Sequence, residues 1–235
     1  HPVARFLEPV WRELDASQVQ LVAYDNSPAA DAMAQRLRAL VDAWVDVSML
    51  SDDALAARIR TDGIDILIDH SGHTASNRLG VFARKPAPVQ AMWVGYPGTS
   101  GLRAMDYRLV DPVLAPPGRL DHLFTERLAY LPSMLVFGKP EQLPPLTPPP
   151  LARNGYITFG SFNNTAKLNP EVLACWAGLL QAVPGSRLML QWKTLADEAL
   201  RQTLAVRMAR LGVDPARLFL LGASDHPTLL ARYAE

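Results

Sequence analysis

The chain reads as an α/β protein built from two doubly wound units. Three observations predict this. Short apolar runs alternate with helix-period segments through the first half, six prolines crowd between Lys139 and Pro150, and the same alternation then restarts. In the first half, Val19 to Tyr24 reads as a strand, Ala30 to Leu40 as a helix, Trp44 to Val47 as a strand and Asp53 to Arg60 as a helix. Ile64 to Asp69 (IDILID) is an apolar strand ending in a carboxylate, a helix follows around Arg78 to Phe82, and Val89 to Val94 is the next strand. That order predicts one parallel sheet, continued by short strands at Tyr107 to Val110 and Leu128 to Leu131.

Proline cannot continue a helix or donate to an inner ladder, so the stretch from Lys139 reads as a linker. The boundaries are then residues 1–138 for a first Rossmann-like unit, 139–152 for the linker and 153–235 for a second unit. The second unit runs strand Ile157 to Phe159, helix Glu171 to Ala182, strand Arg187 to Leu190, helix Ala196 to Leu211, strand Leu218 to Leu221 and a helix from Thr228. It is half of a sheet, and the chain stops at Glu235 inside a helical pattern. At the other end Val3, Phe6, Leu7, Val10, Trp11 and Leu14 form an amphipathic helix where a doubly wound unit would offer a strand, with His1 at its cap and Pro2 in its first position. The expectation is that further residues precede His1 and follow Glu235, and that the second unit is incomplete.

Lys plus Arg and Asp plus Glu balance at 23 each, so there is no global basic field of the kind that drives nucleic-acid binding. No run approaches the roughly 20 apolar residues of a membrane span. Cys175 is the only cysteine, which excludes an internal disulfide and a cysteine-based zinc cluster and fits a reducing cytoplasm.

The loop ITFGSFNNTAKLNP, Ile157 to Pro170, carries the most chemistry. Gly160 is expected to turn the chain out of the sheet, Asn169 to cap a helix with Pro170 at its first position, and Val172, Leu173, Trp176, Leu179 and Leu180 to form that helix's core face. Lys167 then lies just ahead of free N–H groups, flanked by Asn163, Asn164 and Thr165, where an anion is favoured. A surface lysine in an ordinary βα loop fits the same residues.

WVGYPGTSG, Trp93 to Gly101, places three glycines after a strand. The spacing is not GxGxxG, so the loop is either a ligand-binding loop at the carboxyl end of a parallel strand or a tight turn at a sheet edge. His1 at a helix start is biased toward neutral imidazole, or is merely the first residue. His70 and His73 follow a strand but lack a third metal ligand at a familiar spacing, and His226 either caps the last helix or faces a ligand. Trp11, Trp44, Met189 and Trp192 fall in apolar patterns and read as core. No Asp-x-Asp triplet, a common carboxylate pair for a cation on a sugar-nucleotide diphosphate, occurs.

With these segments in view, the chain resembles the O-linked N-acetylglucosamine transferases, including their bacterial homologues and the SPINDLY proteins. The resemblance rests on HP before an apolar helix at His1, DGIDILID at Asp62 to Asp69, RKPAPVQAMWVGYPGTSG at Arg84 to Gly101, MDYRLVDP at Met105 to Pro112, ERLAYLP from Glu126, and SFNNTAKLNP at Ser161 to Pro170. It implies a GT-B architecture, two Rossmann-like domains facing a cleft. The implied activity is an inverting, metal-independent transfer of N-acetylglucosamine from UDP-GlcNAc to Ser or Thr of a protein or peptide, with no cofactor. Alternatives are SPINDLY-like fucose transfer from GDP-fucose and a non-catalytic nucleotide-sugar-binding module.

By the same resemblance Lys167 is the diphosphate-binding lysine and His1 the histidine of the site, a candidate general base. Asn164 takes a nucleotide-contacting position that is glutamine in animal members, between Asn163 and Thr165. Val94, Gly95 and Pro97 match the loop beside donor sugar and acceptor, His73 stands where animal enzymes have tyrosine, and His226 matches an Asp-His pair of SPINDLY-type sequences. Helical repeats upstream in the full protein are a further implication.

Overall fold

The structure, a computed structural model, describes residues 2–27, 31–138 and 143–235. The cap at His1, the helix start at Ala30 and the linker residues Lys139 to Gln142 lie outside the described residues. The chain divides into two compact units, His1–Lys139 and Pro140–Glu235.

The first unit opens with α1 (Pro2–Arg12) and continues β1 (Val22–Asp25), α2 (Ala32–Arg38), β2 (Ala43–Asp46), α3 (Asp52–Thr61), β3 (Ile66–Asp69), α4 (Leu79–Ala83), β4 (Val89–Met92), β5 (Tyr107–Val110) and β6 (Arg127–Tyr130). Every pairing is parallel, as the βαβ order requires. The single sheet expected from the alternation is instead two, β1-β2 and β3-β4-β5-β6. Side chains tie the ends of β1 and β3 in place of a ladder: Asn26 Nδ2 donates to the Ser76 carbonyl at 2.8 Å, and Arg78 Nη1 to Asn26 Oδ1 at 3.0 Å. The apolar β3 is buried only at Leu67 and Asp69, while Ile66 and Ile68 stay exposed. Leu55, Ile59, Val81, Phe82 and Met92 form one core, from α3, α4 and β4. A second gathers Ala4 and Leu7 of α1, Leu37 of α2, Trp93, Val94 and Met134, with Trp11 and Trp44 packed against it.

The second unit runs α5 (Pro150–Asn154), β7 (Thr158–Ser161), α6 (Pro170–Ala182), β8 (Arg187–Gln191), α7 (Glu198–Arg210), β9 (Leu218–Leu221) and α8 (His226–Ala231), with a parallel sheet ordered β7-β8-β9. Pro150 belongs to α5 and not to irregular linker, because proline at a first helical position has no N–H to lose. Gly160 does not turn the chain. It pairs with Met189 inside β7, and the strand runs on to Ser161. Asn169 caps α6 as expected, its Oδ1 accepting from Val172 N at 2.9 Å. The buried face of α6 is Leu173, Ala177 and Leu180, while Leu179 is 37% exposed, because one helical turn places it beside the stripe. Among the described residues no helix is long and apolar enough to cross a membrane.

Candidate functional site

Parallel strands end at one edge, so the loops after β7, β8 and β9 emerge together. Ligands bind outside this edge in open α/β sheets. After β7, a short 3₁₀ turn, Thr165–Lys167, is capped by Asn164, whose Oδ1 accepts from Ala166 N at 3.0 Å. Lys167 is exposed, and its Nζ reaches Asn163 Oδ1 at 3.4 Å. The hydroxyls of Thr165 and Thr194 lie 2.6 Å apart and join the loop after β7 to the one after β8. Gln191 Nε2, at the end of β8, donates to the Gly222 carbonyl at 3.1 Å and Ser224 Oγ at 2.9 Å, joining the loop after β9.

Between these loops lies a hollow of about 160 Å³ whose lining includes Phe162, Gln191, Trp192, Lys193 and Ser224. Trp192 is therefore a wall of this hollow as well as a packed side chain. Gln191 Oε1 and Trp192 Nε1 are buried without hydrogen-bond partners among the described residues. A larger hollow, about 560 Å³, touches Asn163 and Met189, so Met189 also lines open space. His226 is the first residue of α8, but Asp225 caps that helix by accepting from Thr228 N at 2.9 Å, and hydrogen bonds from the Thr228 side chain and then its backbone lower the Asp225 carboxyl from its usual range.

In the first unit the loops after β3 and β4 interlock. Asp69 ends β3 buried and accepts from Ser71 N at 3.1 Å and Gly72 N at 2.7 Å. Val94 is buried at a φ of 50°, a left-handed conformation costing a β-branched residue on the order of 1–3 kcal/mol and typical of functional loops. Gly95 follows at φ 75°, and Tyr96 N donates back to the Val94 carbonyl at 2.8 Å. A Cβ on Gly95 would stand 1.9 Å from the His70 carbonyl oxygen, and one on Gly72 would stand 2.4 Å from Tyr96 Cβ. Each loop thus leaves room for the other by omitting a side chain. Val3, near the start of α1, comes 3.4 Å from the same Gly95 position, so α1 begins beside this loop.

His70 Nδ1 meets the Trp93 carbonyl at 2.8 Å and His73 Nε2 the Ser100 carbonyl at 3.0 Å, with the His73 ring edge-on to Tyr96. The two histidines have separate partners, in keeping with a satisfied loop. Burial lowers the His70 imidazole below its ordinary value, against the pull of the Trp93 carbonyl and Asp69. Burial also raises the Glu126 carboxyl, but donors from Ser100 and Thr99 outweigh it and hold the group below its usual range.

The predicted residues therefore fall on two edges. Asn163, Asn164, Thr165, Lys167 and His226 are at the second unit's, and His73, Val94, Gly95 and Pro97 at the first's. His1 lies outside the described residues. Asp69 stands out in the sequence as the carboxylate closing an apolar strand, whereas the parts played by Thr194, Gln191, Tyr96 and Glu126 leave no local signal.

The sequence profile described as Glycosyl transferase family 41 matches residues 1–147. The chain belongs to glycosyltransferase family 41. Within this family it is 39% identical over 226 residues to a rice (Oryza sativa subsp. japonica) protein named probable UDP-N-acetylglucosamine–peptide N-acetylglucosaminyltransferase SPINDLY, covering 94% of this chain and 24% of the relative. A Caenorhabditis elegans UDP-N-acetylglucosamine–peptide N-acetylglucosaminyltransferase is 38% identical over 146 residues, 61% of this chain and 12% of that protein. A solved lysine-to-methionine mutant of a Thermobaculum terrenum O-GlcNAc transferase superposes at a TM-score of 0.92 with 43% identity, covering 100% of this family 41 chain and 44% of the other. The chain thus spans about a quarter of its rice relative.

Proposed function

We propose that the protein containing this chain transfers N-acetylglucosamine from UDP-GlcNAc to Ser or Thr hydroxyls of a protein or peptide acceptor. The observation that carries this reading is the agreement of the whole chain with a solved O-GlcNAc transferase, at a TM-score of 0.92 and 43% identity. The second unit's edge would take the nucleotide diphosphate. Negative charge builds on the departing diphosphate as the sugar bond breaks, and Lys167 with the positive dipole end of α6 stabilises it. One such donor contributes roughly 3 kcal/mol when its contact strengthens in the transition state.

The strained Val94–Gly95 turn and Pro97 would shape the ground for the sugar and the acceptor hydroxyl, with His73 alongside. His1 is the candidate base, and α1, which follows it, begins beside Gly95. We read the transfer as inverting and independent of a metal, the cation of Lys167 serving where a divalent ion would, and we place the protein in the cytoplasm. Asn164 and His226 would contact the nucleotide.

The second reading, which the resemblance to SPINDLY proteins implies, is fucose transfer from GDP-fucose, although the SPINDLY-named rice relative carries the name of a UDP-N-acetylglucosamine transferase. The full-length protein should be stabilised by UDP more than by GDP and should label a hydroxyl peptide from UDP-GlcNAc. Preferential stabilisation by GDP with labelling from GDP-fucose would replace the first reading by the second.

A further inference from the structure

Arg108 lies on β5 only 1% exposed, the most voluminous of the fully buried side chains among the described residues. A guanidinium is rarely buried so completely unless it is paired. Here one nitrogen, Nη2, donates to the Tyr96 carbonyl, while Nε and Nη1 are buried without partners and no ion pair forms among the described residues. Each unmet buried donor costs about 1–3 kcal/mol. The carboxylates whose charge Arg108 feels are Glu126 and Asp69.

Both carboxylates already hold loops. Glu126 accepts from Ser100 N and Thr99 Oγ1, each at 2.7 Å, and from Ser100 Oγ. Asp69 accepts from Ser71 N and Gly72 N. Between those two anchored stretches lies the segment with the left-handed Val94 and Gly95, and Arg108 grips its Tyr96 carbonyl from beneath. Replacing buried ionic groups by hydrophobes is often neutral or stabilising, so stability alone does not account for this cation.

We propose that Arg108 is a positioning residue that, through its buried hydrogen bond to the Tyr96 carbonyl, sets the Val94 to Pro97 turn in the geometry needed for sugar transfer. This rests on the reading of that turn as part of the transfer site. Misplacement of such a turn by a fraction of an ångström costs transfer rate while the nucleotide, held by the other unit, binds as before.

The test uses the full-length protein with UDP-GlcNAc and a hydroxyl peptide, comparing wild type, Arg108→Met, Arg108→Lys and Glu126→Gln. If wild type transfers no sugar, the functional reading itself fails. Given wild-type transfer, Arg108→Met should lower kcat roughly 10- to 100-fold. Its UDP Kd should stay within about twofold, and Arg108→Lys should recover part of the loss because it restores charge without the planar fork. Glu126→Gln should show the same split, and Arg108→Lys, with a smaller loss of kcat at unchanged UDP Kd, carries the test if Arg108→Met does not fold. Transfer within about twofold of wild type in the variants that fold, or UDP affinity falling in step with transfer, would overturn the assignment.

Discussion

The backbone of His70 stands so close to Gly95 that any side chain at residue 95 would start 1.9 Å from the His70 carbonyl oxygen. Two sequence-distant loops therefore share one space, and the absence of a single carbon is what lets them do so. Since φ at Gly95 is 75°, an alanine there meets both backbone strain and the clash. Gly95→Ala is expected to destabilise the protein by about 1–3 kcal/mol, seen as a lower urea midpoint. It should also abolish transfer, because the neighbouring Val94 and Pro97 move with it.

Thr165→Val tests the link between the loops after β7 and β8. Its hydroxyl lies 2.6 Å from that of Thr194, and such a bond is worth about 0.5–1.5 kcal/mol. Calorimetry should show UDP binding weakened by roughly 2- to 10-fold. The melting temperature should change little, since the bond is exposed.

His70 gives a pH signature separate from that of the carboxylates. Its folded value is lowered from 6.5 by burial, so the unfolded chain binds the proton more readily. Stability from the neutral ring is then present above about pH 6.5 and is lost as pH falls from there through the lower folded value. Urea midpoints measured between about pH 7.5 and 5 should decline in wild type, and His70→Asn should flatten that decline.

Much of the fold is legible because its signals are local. Asn169 and Pro170 announce the start of α6 by their own chemistry, and β5 begins and ends where the sequence predicts, at Tyr107 and Val110. Where the decision depends on distant partners, local signals mislead. Gly160 looks like a turn residue but pairs with Met189 in a ladder, and Leu179 repeats with the apolar face yet lies at its margin. The same holds for the site. Lys167 and its flanking polar residues can be read from one loop, whereas the hydroxyl pair Thr165–Thr194 joins residues that only the fold brings together. Arg108, a charged residue in a strand, would be placed outward by residue type; the structure buries it alongside Val110 on the alternate positions of β5.

The most direct test of the account is the transfer rate of full-length Lys167→Ala, read by mass spectrometry of a hydroxyl peptide incubated with UDP-GlcNAc. Lys167 is exposed and, among the described residues, its ammonium hydrogen-bonds Asn163 alone, at 3.4 Å, so the variant should fold and melt like wild type. The account predicts that sugar addition falls roughly 100- to 1,000-fold, as when one transition-state donor is removed. Near-normal transfer by this variant would contradict it.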